Sequence, residues 1–160
     1  LLSGAELWRP RPAGCVRLWD TLPAAVPDVR GVRDGAWTFA HTALLSLGFV
    51  WRDRLGRITG RQDARYRAVV DAVQTRGAAV VAATPLRTSD IARYVHKVNE
   101  HAVVRPYRVR LWLGDLGGER TVLAIGQTRH LGGGLLVPRD IPEGTAVTVA
   151  HPAAEGRTDA

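Results

Sequence analysis

The residues with the most chemical promise stand near the end of the chain, in the run Gly126-Gln127-Thr128-Arg129-His130-Leu131-Gly132-Gly133-Gly134. A strand-like run over 121–125 stops at Gly126, and an apolar exit follows at Leu135, Leu136 and Val137. Three consecutive glycines lose more conformational entropy on folding than any other tripeptide, so a tight turn or a close approach by a ligand must compensate. Glycines at these positions let a phosphate reach backbone N–H groups that a Cβ would block. Arg129 would then pair with phosphate, and His130 would stack or donate a hydrogen bond. The plainer alternative is a mobile turn.

Histidine is the side chain whose ordinary titration lies nearest neutrality, and so the natural candidate for a general acid or base. Five are present. His151 falls in the tail, and His130 reads as a binding residue. His96 and His101 are five apart, which does not place them on one helical face; as zinc ligands they lack partners, so neither a metal nor a cofactor is expected. His41 lies on a predicted helix after the first strand and is the candidate general acid or base, with a core histidine as the alternative reading. Tyr107 and Lys97 are the candidates to stabilise a phosphorane. The sequence contains no GxSxG, P-loop or dinucleotide fingerprint; the triple glycine leads to a proline rather than to a helix.

Charge points the same way. The 160 residues carry a net charge of +7, and of the 22 basic residues all but Lys97 are arginine. Guanidinium groups fork onto phosphates and stack on bases better than ammonium groups do. A polyanionic partner, nucleic acid before membrane, is the expectation. Arg61, Arg65, Arg67 and Arg76 are most simply the solvated face of a helix. No apolar run approaches the ~20 residues that span a bilayer. The opening Leu1-Leu2-Ser3 resembles no signal peptide, and the single cysteine, Cys15, excludes an internal disulfide. A cytoplasmic setting is expected. The start without methionine suggests a cut or split longer protein, and a removed tag would look the same.

The elements that must position these groups follow from periodicity. Residues 14–23 read as a first strand ending at Pro23, and 23–35 as a loop. Asp34 is the expected cap of a helix over 35–49, with Trp37, Ala40, Leu44, Leu47 and Val50 at helical spacing and Gly48 near its end. Residues 50–61 read as a short polar connection or a hairpin turning at Gly56. A second helix over 62–77 buries Tyr66, Val69, Val70 and Val73 and closes at Gly77. A buried strand follows over 78–86, then a short helix over 88–101. In 106–115, Tyr107, Val109, Leu111 and Leu113 face one way, and Arg108, Arg110 and Trp112 the other; Trp112 is either a stacking ring or a packed strand residue. A hairpin returns through 120–126, and 144–152 forms the last strand. The chain is expected to be one α+β domain over 1–150, with a flexible tail over 151–160. Its fold is a ferredoxin-like (RRM-like) antiparallel sheet with helices on one face.

The loop pattern, with Gly126, Arg129, His130, Gly132, Gly134, Leu135 and Pro138 in order, resembles the C-terminal glycine-rich loop of the CRISPR-associated RAMP superfamily. The runs "RPYRVRLWLGD", "AHTALLSLGF" and "LWRPRPAGCVRLWDTLP" are similar to the C-terminal, Cas-six-like half of the fused Cas-five/Cas-six subunit of type I-G systems. The resemblance covers most of residues 5–138. It implies binding of CRISPR RNA through the loop residues Gly126, Arg129, His130, Gly132, Gly133 and Gly134; Arg108 and Arg110, if on the sheet's open face with Trp112, would add charge beside a stacking ring. It also implies metal-independent cleavage of precursor RNA to a 2′,3′-cyclic phosphate, and His41 lies in the neighbourhood where such enzymes carry their catalytic histidine. Partners would be other subunits of a CRISPR effector complex, among them a separate N-terminal half, since the family generally has two ferredoxin-like halves. A non-catalytic, Cas-five-like RNA-binding scaffold is the alternative; an unrelated basic α+β interaction domain is the second.

Overall fold

The computed structural model describes residues 4–7, 9–29, 31–32, 36–87 and 105–149. After one helical turn, α1 (Gly4–Leu7), the elements are β1 (Cys15–Thr21), α2 (Phe39–Val50), α3 (Gln62–Thr75), β2 (Ala79–Pro85), β3 (Tyr107–Trp112) and β4 (Leu136–Pro142). The four strands form one antiparallel sheet in the order β2-β3-β1-β4. The architecture is α+β, and the strand order is compatible with a ferredoxin-like arrangement. Both long helices lie between β1 and β2; among the described residues, β3 reaches β4 through short 3-10 turns instead of a helix. The predicted short helix over 88–101, with Lys97, lies outside the described residues, as does the whole of the predicted tail over 151–160. No helix among the described residues is long and apolar enough to cross a membrane.

The core lies between the sheet and the two helices. Tyr107, Val109 and Leu111 of β3 alternate inward with Trp19 of β1, and meet Leu44, Leu45 and Leu47 of α2 and Val70 and Val73 of α3. At ~1.5–3 kcal/mol per fully buried large side chain, this cluster is the main source of stability. α2 is capped by Thr38, whose hydroxyl accepts from the amide of His41. Asp34, the expected cap, lies outside the described residues. Gly48 is not a cap; it sits inside α2, pressed against Val69 of α3 where a Cβ would collide, and the helix ends at Trp51. α3 closes as expected, with Arg76 as the cap and Gly77 in the left-handed region at φ +80°.

Three predicted elements differ. Residues 52–54 form a 3-10 turn rather than part of a hairpin. The segment 120–126 does not return along β3: Leu123 and Ile125 are buried, and Ala124 makes an isolated bridge to Leu135. Among the described residues the last strand is 136–142; of the predicted strand over 144–152, residues 144–149 are not extended into the sheet and the rest lies outside the described residues. Pro138 and Pro142 argue against a strand there, but β4 is at the sheet's edge, where a missing N–H is tolerated.

Candidate nucleic-acid interface

β3 builds the candidate interface by simple alternation. With Tyr107, Val109 and Leu111 buried, Arg108, Arg110 and Trp112 fall on the sheet face away from the helices, as expected. Trp112 is 39% exposed, which decides in favour of an available ring. Arg108 is exposed and makes no ion pair among the described residues. Arg110 donates from Nε and Nη2 to both oxygens of Asp20 on β1, at 2.7 and 2.9 Å. That hydrogen-bonded pairing holds the guanidinium above its ordinary value. Arg139 of β4 reaches the same carboxylate at 3.7 Å. The face thus presents three guanidinium groups against one carboxylate, beside an exposed indole. Arg139 escaped the sequence reading because its proline-flanked segment did not read as a strand; Asp20 left no signal of its role.

A cleft of about 230 Å³ opens at the end of β3, with Trp112, Trp19 and Arg11 on its walls and Gly117 and Gly118 at its edge. Glu119 also lines the cleft and holds Arg11 in an exposed ion pair at 3.7 Å. The cleft thus offers an aromatic ring on which a base can stack, and among the described residues the unpaired cation of this face is Arg108.

The glycine loop is built differently from the expectation. Its three central amides are occupied: Gly132 donates to the Arg129 carbonyl at 3.4 Å, Gly133 to that of Thr128 at 3.1 Å, and Gly134 to that of Ala24 at 3.2 Å. In this conformation they do not form a phosphate cradle. Gly126 and Gly134 serve the chain's own backbone: both have positive φ, and a Cβ would strike the carbonyl oxygen of Val26 and of Ile125, respectively. Gly133 backs onto the Thr128 side chain, while Gly132, at φ +84°, has open space around it. The loop is a clasp over the buried segment Ala24, Ala25 and Val26.

Arg129 is likewise committed in part. Its Nη1 donates to Asp28 at 2.8 Å and to the Gly126 carbonyl at 2.9 Å. Asp28 in turn accepts from the Ser46 hydroxyl at 2.6 Å. His130 is exposed on the adjacent 3-10 turn.

Of the candidate catalytic residues, the structure describes Tyr107 and His41. Tyr107 is fully buried on the helix side of the sheet, and its hydroxyl lies beside Ser46 without a hydrogen bond of good geometry. Burial pushes that phenol above its ordinary value, against a smaller opposing effect of Ser46. It is a core residue with no exposed surface to offer a phosphorane. His41 is half-buried in the first turn of α2, stacked on Trp37 with centroids 5.1 Å apart. Its Nδ1 accepts from the Thr38 amide at 3.1 Å, completing a capping box in which the imidazole stands where Glu or Gln usually does. Burial, and then the nearby Arg67, hold it below the ordinary imidazole value. Lys97 lies outside the described residues. Among the described residues, no three His, Cys, Asp or Glu side chains are grouped so as to hold a metal ion.

No protein-family model matches this chain, nor does any curated protein or solved structure. The functional reading therefore rests on the chain's own residues.

Proposed function

We propose that this chain is an RNA-binding, ferredoxin-like (RRM-like) RAMP subunit that holds CRISPR RNA in the cytoplasm as part of a CRISPR effector complex, alongside a separate N-terminal half. The CRISPR assignment rests on the sequence resemblance alone; the observation that supports RNA binding is the outward face of β3, where Arg108, Arg110 and the exposed Trp112 stand together on the side of the sheet away from the helices. Guanidinium groups supply salt-dependent attraction to phosphate, and the indole supplies a stacking platform. In this reading the glycine clasp shapes the molecule and offers His130, rather than its amides, to the strand.

The test is the affinity for single-stranded CRISPR repeat RNA, measured by fluorescence anisotropy across a salt series. Arg108→Ala is expected to flatten the dependence of log K on log salt by roughly one unit. Trp112→Ala is expected to cost ~1–3 kcal/mol of binding with little change in slope. If both variants keep wild-type affinity and slope, the RNA surface is elsewhere.

The second reading, metal-independent cleavage of precursor RNA, keeps one supporting observation: His41 is held toward its neutral, basic form. The capping role makes a different prediction from catalysis. His41→Ala is expected to lower stability by about 1 kcal/mol through the lost cap and ring stack. Because the folded imidazole value is depressed, the contribution of neutral His41 is complete above the ordinary value of 6.5 and is lost as pH falls through the lowered one. Cleavage of repeat RNA in EDTA by the wild type, abolished in a folded His41→Ala variant, would instead establish the nuclease.

A further inference from the structure

A second pocket lies on the helix side, remote from the outward face of β3. It occupies about 210 Å³ between the end of α2, the connection after it and the start of α3. Its floor is apolar, formed by Phe49, Leu55, Ile58 and Val69. Its rim carries Arg52, Arg65 and Arg129, and no acidic side chain lines it. Arg52 has a loose, solvent-exposed contact to Asp53 at 3.8 Å, and Arg65 is exposed with no ion pair among the described residues.

Arg129 decides what this pocket takes. Its two hydrogen bonds both leave from Nη1, to Asp28 and to the Gly126 carbonyl; Nε and Nη2 make none among the described residues. Asp28, only 10% exposed in its side chain and bonded to Ser46, fixes the guanidinium in place. An arginine pinned on one side, with its other edge free, is prepared for the fork-like contact that a phosphate makes. The cavity is below the several hundred Å³ of a drug-sized ligand site, so it accommodates a single ring system and leaves a charged group at the mouth.

We infer that this pocket is a nucleotide site, with the base against Phe49, Leu55, Ile58 and Val69 and the 5′-phosphate on Arg129, Arg65 and Arg52. The choice of a nucleotide over another ring-bearing anion rests on the RNA-binding reading above. The same chemistry belongs to a free mononucleotide and to one nucleotide of an RNA strand.

Titration calorimetry of the intact chain with AMP, adenosine and inorganic phosphate tests it. AMP is expected to bind more tightly than either part alone. Arg65→Glu, an exposed change on α3, is expected to weaken AMP at least about tenfold, the scale of a lost charge-assisted contact. Arg129→Lys, which keeps the charge near Asp28 but loses the fork, should weaken it in the same direction. Wild-type protein that binds no AMP, or folded variants that bind it as tightly as the wild type, would overturn the inference. Repeat RNA that displaces AMP identifies the occupant as a nucleotide of the strand; RNA that binds without displacing it identifies a free nucleotide, and both outcomes support the site. RNA binding without AMP binding sinks the pocket alone, while AMP binding without RNA binding sinks the RNA reading alone.

Discussion

Arg17→Ala is expected to lower the unfolding free energy by about 3–5 kcal/mol, the cost of stranding one member of a buried ion pair. Arg17 and Asp140 have side-chain exposures of only 6% and 5%. Nε and Nη2 of Arg17 donate to the two oxygens of Asp140 at 2.7 and 2.9 Å. Nη1 donates to the Glu119 carbonyl at 2.8 Å, and Nη2 also reaches that of Arg9 at 3.2 Å. One guanidinium thus ties β1 to β4 and both to two flanking segments. Urea unfolding should show a lower midpoint with an unchanged slope. The double variant Arg17→Met, Asp140→Leu should lie much nearer the wild type, because it leaves no buried charge behind. The pair also sets acid sensitivity. The hydrogen bond from Arg17 holds the Asp140 carboxyl below its ordinary value of 3.8. Its contribution is therefore full above the ordinary carboxylate range and is lost as pH falls through the lowered folded value. Arg17→Ala should remove that acid-dependent component. A loss under ~1 kcal/mol would mean that the pair behaves as a surface bridge.

Gly134→Ala is expected to cost about 2–5 kcal/mol, while Gly132→Ala, two residues away, costs about 1–2 kcal/mol. Both have positive φ, at +64° and +84°, so both meet the left-handed penalty of an L side chain. They differ in surroundings. A Cβ on Gly134 runs into the Ile125 carbonyl oxygen and comes within 3.2 Å of the Ala25 Cβ; one on Gly132 meets nothing within 4 Å. Because the Ile125 amide also donates to the Gly134 carbonyl at 2.9 Å, backbone cannot yield there without opening the clasp. Thermal unfolding of the two variants side by side checks the difference, and equal losses would refute the close-packed clasp. Gly132 is accordingly the glycine at which an effect on RNA can be separated from an effect on folding.

Local pattern carried the sequence reading furthest where one face is buried and the other is not. β3 alternates cleanly, so Arg108, Arg110 and Trp112 could be assigned to one face, and the valine stripe of α3 ended where Gly77 said it would. α2 was harder to bound, because residues 42–48 are buried all round and no polar stripe marks its limits. β4 was lost because its prolines are local evidence against a strand, whereas its edge position is a tertiary fact. The clasp was misread for a related reason. A sequence announces that glycine is needed but not whether a ligand or the chain's own carbonyl demands it, and here Val26 and Ile125 do. Arg129 finds its partner 101 residues away in Asp28, a separation that no periodicity encodes.

The composition of β4 also governs how the sheet meets other chains. Leu135 gives its carbonyl to Leu22 on the β1 side, so the alternation turns the backbone groups of positions 136, 138, 140 and 142 outward. The Leu136 amide is already taken by the Leu123 carbonyl, and Pro138 and Pro142 have none to give. Asp140 retains the one remaining outward donor of this strand. A foreign strand laid along that side would find almost no ladder to join, so this border is protected against the edge-to-edge pairing that begins aggregation.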